Sequence, residues 1–239
     1  MLDDVHIERY SRQIILPQVG GRGQEMLLAA SVAVVGAGEI GSAAALYLVA
    51  AGVGRLRIVD DAAAQAPGLL PPAAAVAAAL ASLNPDCRIE SCDRAVTSDG
   101  ADAVAAGHDV IIGAGAKFDV CCGLAAAGLR RGTPLLWGSA AGFVGQCTAL
   151  GRSRADAPCY RCLHPQPPTL DAGTAFSPAA AFIGTVLATE AIKRLIGIQG
   201  AAIRRLVRYN ALEGTVDEVA VQSDPHCVLC GVRGPGAPP

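Results

Sequence analysis

The sequence predicts an α/β fold: a doubly wound, mostly parallel sheet with helices on both faces and a four-cysteine knuckle toward the C-terminal end. Three observations predict it. Short apolar runs alternate with alanine-rich helical stretches, the β-α-β-α rhythm of a parallel sheet. A glycine-rich loop, Gly36-Ala37-Gly38-Glu39-Ile40-Gly41, directly follows the first of those runs. Two Cys-x-x-Cys pairs, Cys159/Cys162 and Cys227/Cys230, stand in the second half.

Each element follows from local pattern. His6–Leu16 mixes charges with Ile14, Ile15 and Leu16 and reads as a short helix or arm, and Gln24–Ala30 as a second short helix. Ser31–Val35 is an unbroken apolar run ending at glycine, the mark of a strand buried on both faces. A helix over 42–51 and a strand over 55–59 come next. Residues 62–72, with Pro67, Pro71 and Pro72, read as loop, and 73–83 as a helix stopped at Asn84-Pro85. Strand 88–91, helix 99–106, strand 109–113, helix 118–130 and strand 134–138 continue the alternation. Beyond them come a strand at 144–150, a cysteine-bearing loop at 158–173, a long helix at 178–196 and strands at 204–209 and 215–221. The Gly/Pro-rich tail 232–239 reads as disordered. A single domain over 1–231 is expected, with an N-terminal arm (1–30), a Rossmann-like half that carries the glycine loop (31–140) and a half that carries the cysteine pairs (141–231).

Composition narrows the class. Of 239 residues 52% are hydrophobic but only 4% aromatic, so the core is expected to be Val, Leu, Ile and close-packed Ala, with Trp137 the single tryptophan. A formal net charge of -2, without a charged tail, argues against nucleic-acid or membrane-surface binding. No apolar stretch reaches the ~20 residues of a membrane helix. The opening Met1-Leu2-Asp3-Asp4 is acidic, unlike a secretory signal. Four of the nine cysteines lie in Cys-x-x-Cys pairs, which favours metal over disulfides, and a cytoplasmic location is expected.

Glycines in a strand–loop–helix turn let the backbone approach a phosphate, whose charge is met by the helix N-terminus. Gly36, Gly38 and Gly41 are therefore the candidate phosphate-facing residues. Asp60 ends the second strand 19 positions after Gly41, where a carboxylate accepts hydrogen bonds from ribose hydroxyls. Glu39 places a carboxylate inside the loop; it either opposes a triphosphate or lies at the helix N-terminus, where the dipole favours it. The two cysteine pairs stand 64 residues apart, and four thiolates close a tetrahedral zinc shell with no open position. Cys159, Cys162, Cys227 and Cys230 are thus expected to hold a structural zinc. Cys87, Cys92, Cys121, Cys122 and Cys147 read as small core residues.

Together these features resemble the MoeB/ThiF/HesA group, bacterial relatives of ubiquitin-activating enzymes. The matching residues are Glu8 to Leu16, Gly23-Gln24-Glu25, Gly36 to Gly41, Ala51-Gly52-Val53-Gly54, Asp60 and Asn84-Pro85. Gly145-Gln146, Pro158 to Cys162, Glu190 to Lys193 and Cys227 to Gly231 complete the set. The resemblance implies ATP- and Mg²⁺-dependent adenylation of the C-terminal carboxylate of a ubiquitin-like sulfur-carrier protein or peptide. It also implies a homodimer in which Arg12, on the arm, reaches the partner's phosphates. The chain departs from the family pattern as well. Between Asp60 and Asn84 it has no Asn, Arg or Lys, and Pro72 stands near the place of the family's lysine. Ala116 takes the place of the magnesium-binding aspartate, Asp119 is out of register, and Leu170 stands where many members carry a cysteine. Lys117 beside it either supplies charge there in place of the metal or is a solvated lysine at a helix start. These departures point to impaired activity, or to a catalytically silent member that binds partners or serves as one subunit of a heterodimer with an active paralogue. An NAD-dependent enzyme using the same loop and Asp60 is the third reading.

Overall fold

The computed structural model describes residues 2–60, 73–151, 157–167, 174–198 and 205–231. Five strands, β1 (Ser31–Val35), β2 (Arg55–Asp60), β3 (Arg88–Asp93), β4 (Val110–Ala114) and β5 (Leu135–Ala141), run parallel in the order β3-β2-β1-β4-β5. Three more, β6 (Val144–Leu150), β7 (Arg205–Asn210) and β8 (Thr215–Ala220), extend the sheet antiparallel to eight strands. The parallel part changes winding direction at β1, between β2 and β4. Open α/β sheets bind ligands at such a point, beyond the carboxyl ends of the strands.

Alternation along β1 shows why its run is apolar throughout. Val32 and Val34 enter one core, with α3 (Glu39–Ala50), α4 (Ala73–Ala81) and α8 (Ser177–Leu195). Ala33 and Val35 enter the other, with α5 (Ala101–Ala105) and α6 (Phe118–Arg131). Both faces are covered, so neither tolerates polar side chains. Helices α3 and α8 cross so closely that a Cβ on Gly184 would lie 2.2 Å from the Ile40 carbonyl oxygen.

Several element boundaries differ from the sequence expectation, three of them for a visible reason. Helix α3 starts at Glu39 rather than 42, because Gly38 adopts the extended conformation of an N-cap. Strand β5 runs three residues further, to Ala141, because it pairs with β6 in a tight hairpin. The cysteine loop carries a short helix, α7 (Tyr160–Leu163), inside the first Cys-x-x-Cys. The predicted loop 62–72 with Pro72, the tail 232–239 and Leu170 lie outside the described residues.

The N-terminal arm forms α1 (Asp4–Ile14) and α2 (Gly20–Ala29). Tyr10 anchors it, 1% exposed, its hydroxyl donating to Asp86 Oδ2 (2.9 Å) and accepting from Asn84 Nδ2 (2.9 Å). Asn84 donates in turn to the Val49 carbonyl (2.7 Å), and Arg9 pairs with Asp86 at 3.0 Å. The arm is therefore seated at the C-terminal end of α3. The glycine loop lies at the other end of that 12-residue helix, ~18 Å away.

Candidate functional site

The glycine loop is built by close approach. Gly36 has φ +102°, and a Cβ there would meet the Ala114 carbonyl oxygen at 2.1 Å. A Cβ on Gly41 would fall 1.8 Å from the Gly36 carbonyl oxygen. Both positions admit only glycine. Gly38 is different: a Cβ there would meet nothing within 4 Å, and as N-cap of α3 it offers no side chain to the helix N–H groups. The first N–H groups of α3 are thus left without a side-chain cap, next to open space. That is the arrangement an anionic phosphate fits.

Asp60 is tied to this loop. Its Oδ2 accepts a hydrogen bond from the Ala37 N–H (2.9 Å), and Ser42 Oγ closes the turn by donating to the Ala37 carbonyl (2.7 Å). The structure thus brings Gly36, Gly38, Gly41 and Asp60 together, as their spacing implies. Sequence reading missed the Ala37 amide, because any residue type supplies that N–H. Glu39 is the first residue of α3, half-buried, and has no hydrogen bond or ion pair among the described residues.

The end of β4 does not match a magnesium site. Ala116 follows Gly115 (φ +69°) and carries no carboxylate. Asp119, exposed in the first turn of α6, lies near Cys122, which also faces Arg161. Lys117 is exposed and precedes α6 as its N-cap. Arg12 is exposed on α1 and makes no hydrogen bond or ion pair among the described residues. The chain's own arm is seated away from the loop and does not carry Arg12 to it.

A second, separate candidate site is the cysteine cluster. The sulfurs of Cys159, Cys162, Cys227 and Cys230 all lie within 4.8 Å of one another. Neighbouring Sγ–Sγ separations are 3.8 Å (Cys159–Cys162), 3.6 Å (Cys159–Cys227) and 3.3 Å (Cys162–Cys230). Four thiolates at ~2.3 Å from one zinc stand ~3.8 Å apart, so the set fits a tetrahedral ion. The Asp224 N–H points at Cys162 Sγ (3.4 Å), the N–H···S bond expected around a thiolate. Burial raises the Cys159 thiol and pushes Cys230 up to about 12, whereas at Cys227 burial is outweighed by hydrogen bonds from the Cys230 and Leu229 N–H groups, which lower the thiol. Gly231 seals the second knuckle, its N–H donating to the Cys227 carbonyl (2.8 Å) where a Cβ would have no room. Cys87, Cys121 and Cys147 are buried and Cys92 and Cys122 half-buried, as core residues should be.

A doubly wound sheet with a glycine loop at its switch point, and four cysteine sulfurs elsewhere in the fold close enough to hold one metal ion, defines a nucleotide-fold protein. Comparison with known proteins makes this specific: the chain belongs to the ThiF family, matched over residues 10–66 and 68–230. It is 36% identical to a SAMP-activating enzyme E1 of Haloferax volcanii, covering 98% of this chain and 92% of that protein. It is 35% identical to a sulfur carrier protein adenylyltransferase of Thermus thermophilus, covering 94% and 91%. Among solved structures, E. coli MccB with MccA-N7isoASN superposes with a TM-score of 0.78 at 16% identity, covering 93% of this chain and 75% of that one. The last match shows a shared fold. Among the described residues no helix is long and apolar enough to cross a membrane.

Proposed function

We propose that this chain is an E1-like activating protein that uses ATP to adenylate the C-terminal carboxylate of a ubiquitin-like sulfur-carrier protein or peptide. The observation that carries the reading is its similarity, along almost the whole length of both chains, to relatives named for that activity. The glycine loop and Asp60 support it independently, since they fit a nucleotide.

Bound ATP supplies the adenylyl group: a carboxylate oxygen bonds to the α-phosphorus as the bond to pyrophosphate breaks. The chain's residues hold and neutralise. Gly36, Gly38 and Gly41 let the backbone and the α3 N-terminus meet phosphate oxygens, and Asp60 accepts from ribose hydroxyls. Arg12 of a second copy, in a homodimer, reaches those phosphates, and Lys117 adds charge at the end of β4. Zinc held by Cys159, Cys162, Cys227 and Cys230 is structural, since four thiolates leave no open position. Ala116 gives the end of β4 no carboxylate for magnesium. In this reading residues 1–30 are the arm, 31–140 the nucleotide half and 141–231 the metal and partner-binding half.

A second reading is favoured by one observation: Ala116 stands where the family's pattern has its metal carboxylate, and the cation beside it, Lys117, is exposed. Losing one such charged group costs ~10²–10³ in rate. The chain then acts as a silent, partner-binding subunit, in a heterodimer with an active paralogue. Neither relative's name supports the nicotinamide reading.

Calorimetric titration with ATP, with and without Mg²⁺, separates the two. Micromolar binding, weakened about tenfold (about 1.4 kcal/mol) by Lys117→Ala, supports the adenylating reading, and pyrophosphate exchange with a carrier ending in Gly-Gly should follow. No binding at millimolar ATP overturns that reading and leaves the silent one.

A further inference from the structure

We infer that Arg161 is a positioning residue through which the cysteine knuckle holds the first turn of α6 and the 115–117 turn against the glycine loop. Tyr160 and Arg161 lie between the two thiols of the first knuckle, so whatever fixes Cys159 and Cys162 fixes both. Tyr160 is 2% exposed, with its ring 5.8 Å from Phe118 and 5.6 Å from Trp137. The Arg161 guanidinium sits 5.3 Å from the Phe118 ring centroid, within cation–π range. Phe118 is the first residue of α6.

That first turn depends on such packing. Its N-cap is Lys117, whose side chain makes no capping bond, and lysine has no acceptor with which to make one. The turn is held from within by Cys121, whose Sγ–H donates to the Ala116 carbonyl (3.3 Å), and from outside by Tyr160 and Arg161. Two residues before Ala116 lies Ala114, against which Gly36 and Gly41 close. A contiguous set of contacts therefore joins Cys159 and Cys162 to the loop through Arg161, Phe118 and the 115–117 turn. The two states it would select are an ordered and a frayed first turn of α6. A planar guanidinium stacked on a ring does this in a way that a lysine ammonium does only in part.

The effect on nucleotide affinity rests on the adenylating reading; the effect on α6 does not. The test uses the full chain, with bound metal quantified, and compares wild type with Arg161→Ala, Arg161→Lys and Phe118→Leu by amide hydrogen exchange. Exchange of the Cys121 amide, which bonds to the Lys117 carbonyl (2.9 Å), and of the next amides of α6 is expected to rise about tenfold in Arg161→Ala and Phe118→Leu, with intermediate values in Arg161→Lys and no change in β1 or β4. Unchanged exchange at Cys121 and the next amides of α6 in both Arg161→Ala and Phe118→Leu, with metal retained, overturns the inference. ATP affinity should fall in the same order. A wild type that binds no ATP defeats the adenylating reading, while the exchange data still decide the role of Arg161.

Discussion

His108 precedes β4 with 6% of its surface exposed, and neither ring nitrogen reaches hydrogen-bond geometry with a described partner. Burial is the main cause that lowers its pKa below the ordinary 6.5; Arg55 and Arg57 lower it further, while the Val104 and Ala106 carbonyls raise it. The sign follows from linkage. The folded state holds this ring neutral at pH values where the unfolded chain would protonate it, so its contribution is complete above about pH 6.5 and is lost as pH falls below. The urea midpoint should therefore drop between pH 7.5 and 5.5, and His108→Gln should flatten that dependence. A variant as pH-sensitive as wild type would place the titration elsewhere. The same residue shows a limit of sequence reading: its burial beside two strand arginines comes from packing that no local pattern encodes.

At the scale of elements, the glycine loop separates glycines needed for folding from one left open for a ligand. Gly41→Ala would put a methyl group 1.8 Å from the Gly36 carbonyl oxygen, and a loss of about 3 kcal/mol or more is expected in thermal unfolding. Gly38→Ala meets nothing in the protein, so stability should stay within about 0.5 kcal/mol. Its methyl would occupy the space proposed for phosphate, so ATP affinity should fall about tenfold by calorimetry. Equal effects of both variants on folding would contradict the distinction. The motif made the three glycines look equivalent; only packing against Ala114 and Gly36 sets Gly38 apart. The arm shows the same thing. Asn84-Pro85 was legible as a helix stop, yet Asn84 is 2% exposed and joins Tyr10 to the end of α3 across 74 positions of sequence.

For the whole molecule, a metal held by the four cysteines would tie residues 159–162 to 227–230 and so fasten the chain that contains α8, β7 and β8. A tie closing a loop of that length is worth about 4 kcal/mol by the loop-entropy estimate. Chelation under reducing conditions, or Cys230→Ser, should therefore lower the melting temperature by roughly 10 °C. Part of the parallel-sheet signal should survive, because the core between β1, β4, β5, α5 and α6 buries no residue of α8, β7 or β8, whereas the opposite core includes α8. Trp137 offers a direct reporter: it lies 4.8 Å from His164 and 5.6 Å from Tyr160, so its fluorescence should change with metal occupancy. A melting temperature unmoved by chelation would mean that the four thiols carry no structural metal.

By itself the sequence determined the α/β class, nearly every helix and strand, the glycine loop with Asp60, and the four thiols. These are written in local signals: apolar period, glycine spacing and paired cysteines. Only the tertiary structure decided the order of the strands, the bond from Ala37 to Asp60, the seating of the arm away from the loop, and the meeting of Arg161 with Phe118. Each joins residues far apart in the chain, so its identity depends on which surfaces the folded sheet brings together, and no local pattern encodes that.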